Sequence, residues 1–163
     1  MSDAQEIERK FLVSALPDLS EAVRATLRQG YVTSPEDSVE VRLRQSDQAC
    51  FLAVKSGEGV VRAERETALS AEDFMTLWPA TEGRRVEKTR WTGRLDDTLC
   101  YELDIYTGAL APLLTVEVEF GSEQEATAFV PPEWFGIDVS TDKRFRNKSL
   151  ALHGATLVRE LFS

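Results

Sequence analysis

The chain has 163 residues, 42% of them hydrophobic and 29% charged, which suits one folded domain over residues 1–163 and is too apolar for a disordered chain. Lys plus Arg number 19 against 28 Asp plus Glu, a formal charge of −9, which argues against general nucleic-acid or anionic-membrane binding. No stretch approaches the roughly 18 apolar residues of a membrane span, and the acidic opening Met-Ser-Asp-Ala-Gln-Glu lacks the basic start of a secretory signal. A cytoplasmic protein is the expectation. Cys50 and Cys100 are read as free thiols, and the single histidine, His153, leaves little room for thiol–imidazole or Ser-His catalysis.

Period-two alternation of Val, Leu, Ile, Phe and Tyr predicts strands near residues 5–13, 26–33, 38–45, 49–55, 60–69, 85–93, 98–107 and 113–120. Short turns such as Ser34-Pro35-Glu36-Asp37 and Ser56-Gly57-Glu58-Gly59 separate most of them, which favours antiparallel neighbours. A short helix is expected over Asp18 to Arg24. A second opens at Ser70 and ends at Trp78-Pro79. A third follows the capping pattern Ser122-Glu123-Gln124-Glu125 and stops before Pro131-Pro132. The last covers Asn147 to Leu161. The fold class is α+β, dominated by sheet.

The polar face of these strands is almost wholly charged. Glu6, Glu8 and Lys10 share a parity, as do Glu40, Arg42 and Arg44, then Arg62, Glu64 and Glu66. Lys88 and Arg90, Glu102 and Asp104, and Glu117 and Glu119 repeat the pattern. Same-parity residues point to one side of a strand. A solvated face accounts for one such pair, but not readily for six strands of them. An eight-stranded barrel with these charges in its lumen and helices over its apolar outside accounts for all of them. Such a lumen needs a charged ligand, because unpaired buried charges cost several kcal/mol each. Carboxylates suit Mg²⁺ or Mn²⁺, and Lys and Arg suit phosphate oxygens. The combination points to metal-dependent phosphoryl chemistry on a chain of phosphates.

Outside this set, Arg9 has the outward parity and reads as structural. Glu40 reads equally as an ion-pair partner of the bases or as a ligand. Cys100 shares the parity of Glu102 and reads as packing, and His153 as a surface or helix-packing residue.

Glu6-Ile7-Glu8-Arg9-Lys10-Phe11 resembles the ExExK signature of the CYTH superfamily, the triphosphate tunnel metalloenzymes. The remaining elements occur in the family's order: Val41-Arg42-Leu43-Arg44, Lys55, Arg62 to Glu66, Lys88-Thr89-Arg90, Glu102-Leu103-Asp104, Val116 to Phe120 and Asp142 to Asn147. The resemblance implies an eight-stranded antiparallel tunnel, a triphosphate substrate, Mg²⁺ or Mn²⁺, and a C-terminal helix plugging one mouth. It is greatest to the short, single-domain bacterial type that hydrolyses inorganic tripolyphosphate. It implies metal binding by Glu6, Glu8, Glu64, Glu66, Asp104, Glu117 and Glu119. Triphosphate binding falls to Lys10, Arg42, Arg44, Lys55, Arg62, Lys88, Arg90, Lys143 and Arg144. Lys88, Arg90, Glu117 and Glu119 are the catalytic set, with Lys88 assisting an attacking water. A class IV adenylyl cyclase, a thiamine triphosphatase and a polyphosphate- or nucleotide-binding module without turnover are the alternatives. The first two need an aromatic surface for the organic group, and Tyr106 is the one inward aromatic beside the acids. A homodimer is left open.

Overall fold

The computed structural model describes residues 6–57 and 63–163. Nine strands form one antiparallel sheet: β1 (Ile7–Val13), β2 (Val23–Tyr31), β3 (Val39–Ser46), β4 (Ala49–Ser56), β5 (Ala63–Leu69), β6 (Arg85–Arg94), β7 (Cys100–Tyr106), β8 (Leu114–Phe120) and β9 (Phe135–Asp138). Their order is β5-β4-β3-β2-β6-β7-β8-β1-β9. Among the described residues three α-helices accompany them, α1 (Ala71–Leu77), α2 (Glu123–Ala128) and α3 (Asn147–Phe162). The mainly-β antiparallel architecture with a C-terminal helix is as expected.

Three details differ from expectation. No ladder joins β5 to β9 among the described residues, so the sheet is curled rather than hydrogen-bonded into a closed eight-stranded barrel. Both edge strands blunt themselves, β5 with the charged run Glu64-Arg65-Glu66 and β9 by its four-residue length, two common ways of discouraging edge-to-edge association. The ninth strand itself is too short to show alternation in the sequence. Finally, no helix forms over Asp18 to Arg24. There the Asp18 carboxylate accepts from the Ser20 N–H, a local turn that competes with helix, and Val23 already pairs with Thr92 of β6.

The two faces are chemically distinct. On the outer face, Leu43 and Cys50 pack with Phe74 and Trp78 of the α1 region, while Phe11, Leu103, Val116, Val118 and Phe120 pack with Ala126 and Phe135. The caps behave as predicted: Ser70 accepts from the Asp73 N–H and Ser122 from the Glu125 N–H. Arg9 is structural, holding Asp138 at 2.9 Å and the Ala126 carbonyl at 2.9 Å. By contrast, α3 packs on the inner face. Its Leu150, Ala151, Leu157 and Val158 join Tyr31 of β2, Val86 of β6 and Tyr106 of β7 in one core cluster, with Leu12 of β1 against its edge. A single helix can touch strands so far apart in the order only because the sheet wraps around it. No helix among the described residues is long and apolar enough to cross a membrane.

Close approach fixes one glycine. A Cβ on Gly30 of β2 would lie 2.6 Å from the Cβ of Thr81, which is fully buried and donates to the Trp78 carbonyl at 2.7 Å. Gly30→Ala is therefore expected to lower the unfolding free energy by about 1–3 kcal/mol through overpacking, measured as a shift in the denaturant midpoint.

Candidate active site

Cross-strand partners in a sheet point to the same side, so the register decides which side chains share a face. Glu8 faces Glu119 and Lys10 faces Glu117 across β1 and β8; Glu117 faces Glu102 across β8 and β7; Asp104 faces Arg90, and Tyr106 faces Lys88, across β7 and β6. Lys88 faces Leu27, and Val86 faces Gln29, across β6 and β2. Gln29 faces Arg44 and Tyr31 faces Arg42 across β2 and β3. Lys55 lies between Glu40 and Glu64, and Ala53 between Arg42 and Glu66. An unbroken chain of registers thus puts Glu8, Lys10, Arg42, Arg44, Lys55, Glu64, Glu66, Lys88, Arg90, Asp104, Glu117 and Glu119 on the inner face. Glu6 lies exposed just before β1. Arg62 falls outside the described residues.

Acids and bases on this face hold each other. Lys10 pairs with Glu117 at 3.0 Å, Arg42 with Glu64 at 3.2 Å, Arg44 with Glu66 at 3.6 Å and Arg90 with Glu102 at 2.6 Å. At the centre is Asp104, only 2% exposed, beside Lys88 at 7%. One Asp104 oxygen lies 2.8 Å from Lys88 Nζ, and the Arg90 guanidinium grips both oxygens at 2.8 and 3.0 Å. Asp104 serves here as the brace of Lys88 and Arg90, with its oxygens already committed, instead of presenting them free to a cation.

Burial acts against both charges of this pair. At Asp104 the hydrogen bonds from Arg90 and the charges of Lys88 and Arg90 outweigh it and hold the carboxyl below its ordinary value of 3.8. At Lys88 burial wins over the attraction of Asp104, and the ammonium is pushed down. The carboxylate is the more securely charged partner.

Two cavities open on this face. One, of about 390 Å³, is lined by Glu8, Glu102, Glu117 and Glu119 with Thr92, Thr98 and Cys100. The other, of about 280 Å³, is lined by Arg44, Lys88 and Arg90 with Gln29, Ser46 and Asn147. Along β6 the order is Val86 under α3, then Lys88 and Arg90 in the basic cavity, then Thr92 in the acidic one. The trough therefore runs from an end closed by α3 to an acidic end.

The acidic cavity fits a hard divalent cation in donor type, since all four acids offer carboxylate oxygen. Burial and the charge of Glu117 push the Glu8 carboxyl above its ordinary value of 4.5, so this corner carries more negative charge than it comfortably holds, and a cation would relieve it. Among the described residues no three acids already converge as a formed metal site; Glu102 and Glu117 point to Arg90 and Lys10.

Several expected residues sit elsewhere. Lys143 and Arg144 line a separate cavity beside Ser149, His153 and Glu160 of α3, and Arg144 is held by Asp142 at 2.7 Å. They do not join the bases of the trough. Glu64 and Glu66 stand on β5, paired to Arg42 and Arg44, remote in strand order from the acidic cavity. Tyr106 is buried in the α3 cluster, its hydroxyl 3.3 Å from that of Thr115, so it presents no free ring to an organic group. Glu40 pairs with Lys148 at 2.7 Å. The charge pattern counts Glu102 among the acids suited to a divalent cation, whereas the set implied by the resemblance leaves it out; its parity with Asp104 places it on this face. Sequence reasoning missed Asn147, which no periodicity signals.

No family model matches the chain. It is 55% identical over 147 residues to an inorganic triphosphatase of Nitrosomonas europaea, which covers 90% of this chain and 97% of that one. An inorganic triphosphatase of Acetivibrio thermocellus is 31% identical over 148 residues, 90% of this chain and 92% of the other. A crystal structure of an inorganic triphosphatase superposes with a TM-score of 0.85 at 53% identity, covering 91% of this chain and 95% of that one. Two relatives above 30% identity, each spanning nine-tenths of the chain, show that it belongs to the inorganic triphosphatases, in keeping with the resemblance of its Glu6–Lys10 signature to the CYTH superfamily.

Proposed function

We propose that the chain hydrolyses inorganic tripolyphosphate to pyrophosphate and phosphate, with Mg²⁺ or Mn²⁺ as cofactor. The observation that carries this reading is one inner face on which Lys10, Arg42, Arg44, Lys55, Lys88 and Arg90 line up beside a four-carboxylate cavity. That number of bases exceeds what a single phosphate needs. The two relatives that match nearly the whole chain are inorganic triphosphatases, and Tyr106, the aromatic beside the acids, is buried and offers no free ring to a nucleobase or thiazolium. A net charge of −9 favours a small polyanion held in a basic cavity over nucleic acid. A cytoplasmic location agrees with two free cysteines.

Glu8, Glu102, Glu117 and Glu119 would hold the cation. When bound, it neutralises phosphate charge and polarises the anhydride. Arg90, fixed by Asp104, presents immobile positive charge where it accumulates on the transferring phosphoryl group. Lys10, Arg42, Arg44 and Lys55 exchange their carboxylate partners for phosphate oxygens. Lys88, whose hold on its proton burial weakens, would in its neutral amine form take a proton from the attacking water.

The direct test is phosphate release from tripolyphosphate, ATP, thiamine triphosphate and pyrophosphate in parallel, with Mg²⁺ and with Mn²⁺, checking the ATP reactions for cyclic AMP. Tripolyphosphate is expected to lead in kcat/KM, and faster turnover of ATP would contradict the reading. A second expectation concerns the cation alone: Mn²⁺ at about a hundredfold over its dissociation constant should raise the unfolding temperature by about 5–10 °C. EDTA should reverse the shift in a thermal melt.

A further inference from the structure

The start of α3 is tied to both walls of the trough. On one wall Lys10 Nζ of β1 donates to the Phe145 carbonyl at 2.9 Å. On the other, Lys148 Nζ donates to Glu40 Oε1 of β3 at 2.7 Å. Between β1 and β3 the sheet carries β8, β7, β6 and β2, so the run Phe145–Lys148 spans the closed end from side to side. Asn147 lies between the two tethers and lines the basic cavity with Arg44, Lys88 and Arg90.

The other amide in this cavity is already employed, since Gln29 Nε2 donates to the Tyr31 hydroxyl at 3.1 Å. An asparagine amide offers two N–H donors without a charge. Beside the cations of this cavity, Arg28, Arg44, Lys88 and Arg90, it adds direction rather than attraction: a phosphate drawn in by the bases still needs a donor that fixes where it stops. The first turn of α3 holds no acid that would compete for that donor or repel the phosphate.

We propose that Asn147 is a substrate-positioning residue whose amide donates to the terminal phosphate at the closed end of the trough, held in place there by the Lys10 and Glu40 tethers. The inference deepens the tripolyphosphatase reading and rests on it for the identity of the ligand. The donor acts on a charge present in ground and transition states alike, so its loss weakens binding more than turnover.

The test is steady-state kinetics on tripolyphosphate together with calorimetric binding of tripolyphosphate to the metal-free protein. Asn147→Ala is expected to raise KM and Kd about tenfold, the scale of one hydrogen bond to a charged group, with kcat within about threefold and the unfolding temperature unchanged. Asn147→Asp should be worse than Asn147→Ala, and Asn147→Gln should recover part of the loss. Glu40→Gln should raise KM in the parent and add nothing in the Asn147→Ala background, because the tether acts through Asn147. An Asn147→Ala protein with KM and Kd within about twofold of the parent, or a Glu40→Gln effect that multiplies with it, overturns the proposal. A parent without tripolyphosphatase activity would sink the functional reading instead, and the calorimetric arm would still decide whether Asn147 holds the polyanion.

Discussion

Asp104→Ala is expected to lower the unfolding free energy by about 3–5 kcal/mol, the cost of leaving buried charges unpartnered. Asp104 is 2% exposed and touches both Lys88 and Arg90. Arg90 retains Glu102 at 2.6 Å, but Lys88, 7% exposed, loses its carboxylate. Pairing the substitution with Lys88→Met should recover much of the loss, because an apolar side chain of similar length carries no charge to strand. Denaturant titration of the two variants checks both statements.

The same carboxylate sets an acid limit. Its folded value lies below the ordinary 3.8, so its contribution is complete above that pH and disappears as the pH falls through the folded value. The parent should therefore lose stability below about pH 4, and Asp104→Asn should flatten that limb.

Glu117→Gln is expected to reduce kcat on the order of 10²–10³-fold, the scale seen when one preorganised electrostatic group is removed from a reaction site, while tripolyphosphate affinity stays level or tightens. The carboxylate pairs with Lys10 at 3.0 Å and lines the acidic cavity. Neutralising it would remove one of the proposed cation ligands and at the same time free Lys10 for phosphate. Stopped turnover with intact binding is the signature. Parallel loss of both, or a kcat within about threefold of the parent, would remove Glu117 from the catalytic role.

The inner face was legible in the sequence because period two is a geometric rule: once Glu8, Arg42, Lys88, Asp104 and Glu117 lay on strands, their common side followed. What each touches there was not legible. Parity places Asp104 and Glu119 on one face equally, yet one sits at the buried centre and the other lines an open cavity. Lys143 and Arg144 belong to no strand, so parity said nothing of them. Asp142 caps the turn they form and draws Arg144 away from the trough. The misplaced helix at Asp18 to Arg24 has a similar cause, since β6 extends to Arg94 and offers Val23 and Arg24 ladder partners that local composition cannot register. Asn147 depends on where α3 begins relative to β1 and β3, a contact across more than a hundred residues.

A crystal structure with tripolyphosphate bound would test most directly whether the phosphate chain lies along the ionised inner wall of the curled sheet. Phosphates resting among Lys10, Arg44, Lys88 and Arg90, with the chain's end at Asn147, are the predicted result. Phosphates bound instead in the separate cavity of Lys143 and Arg144, with the inner ion pairs intact, would contradict it.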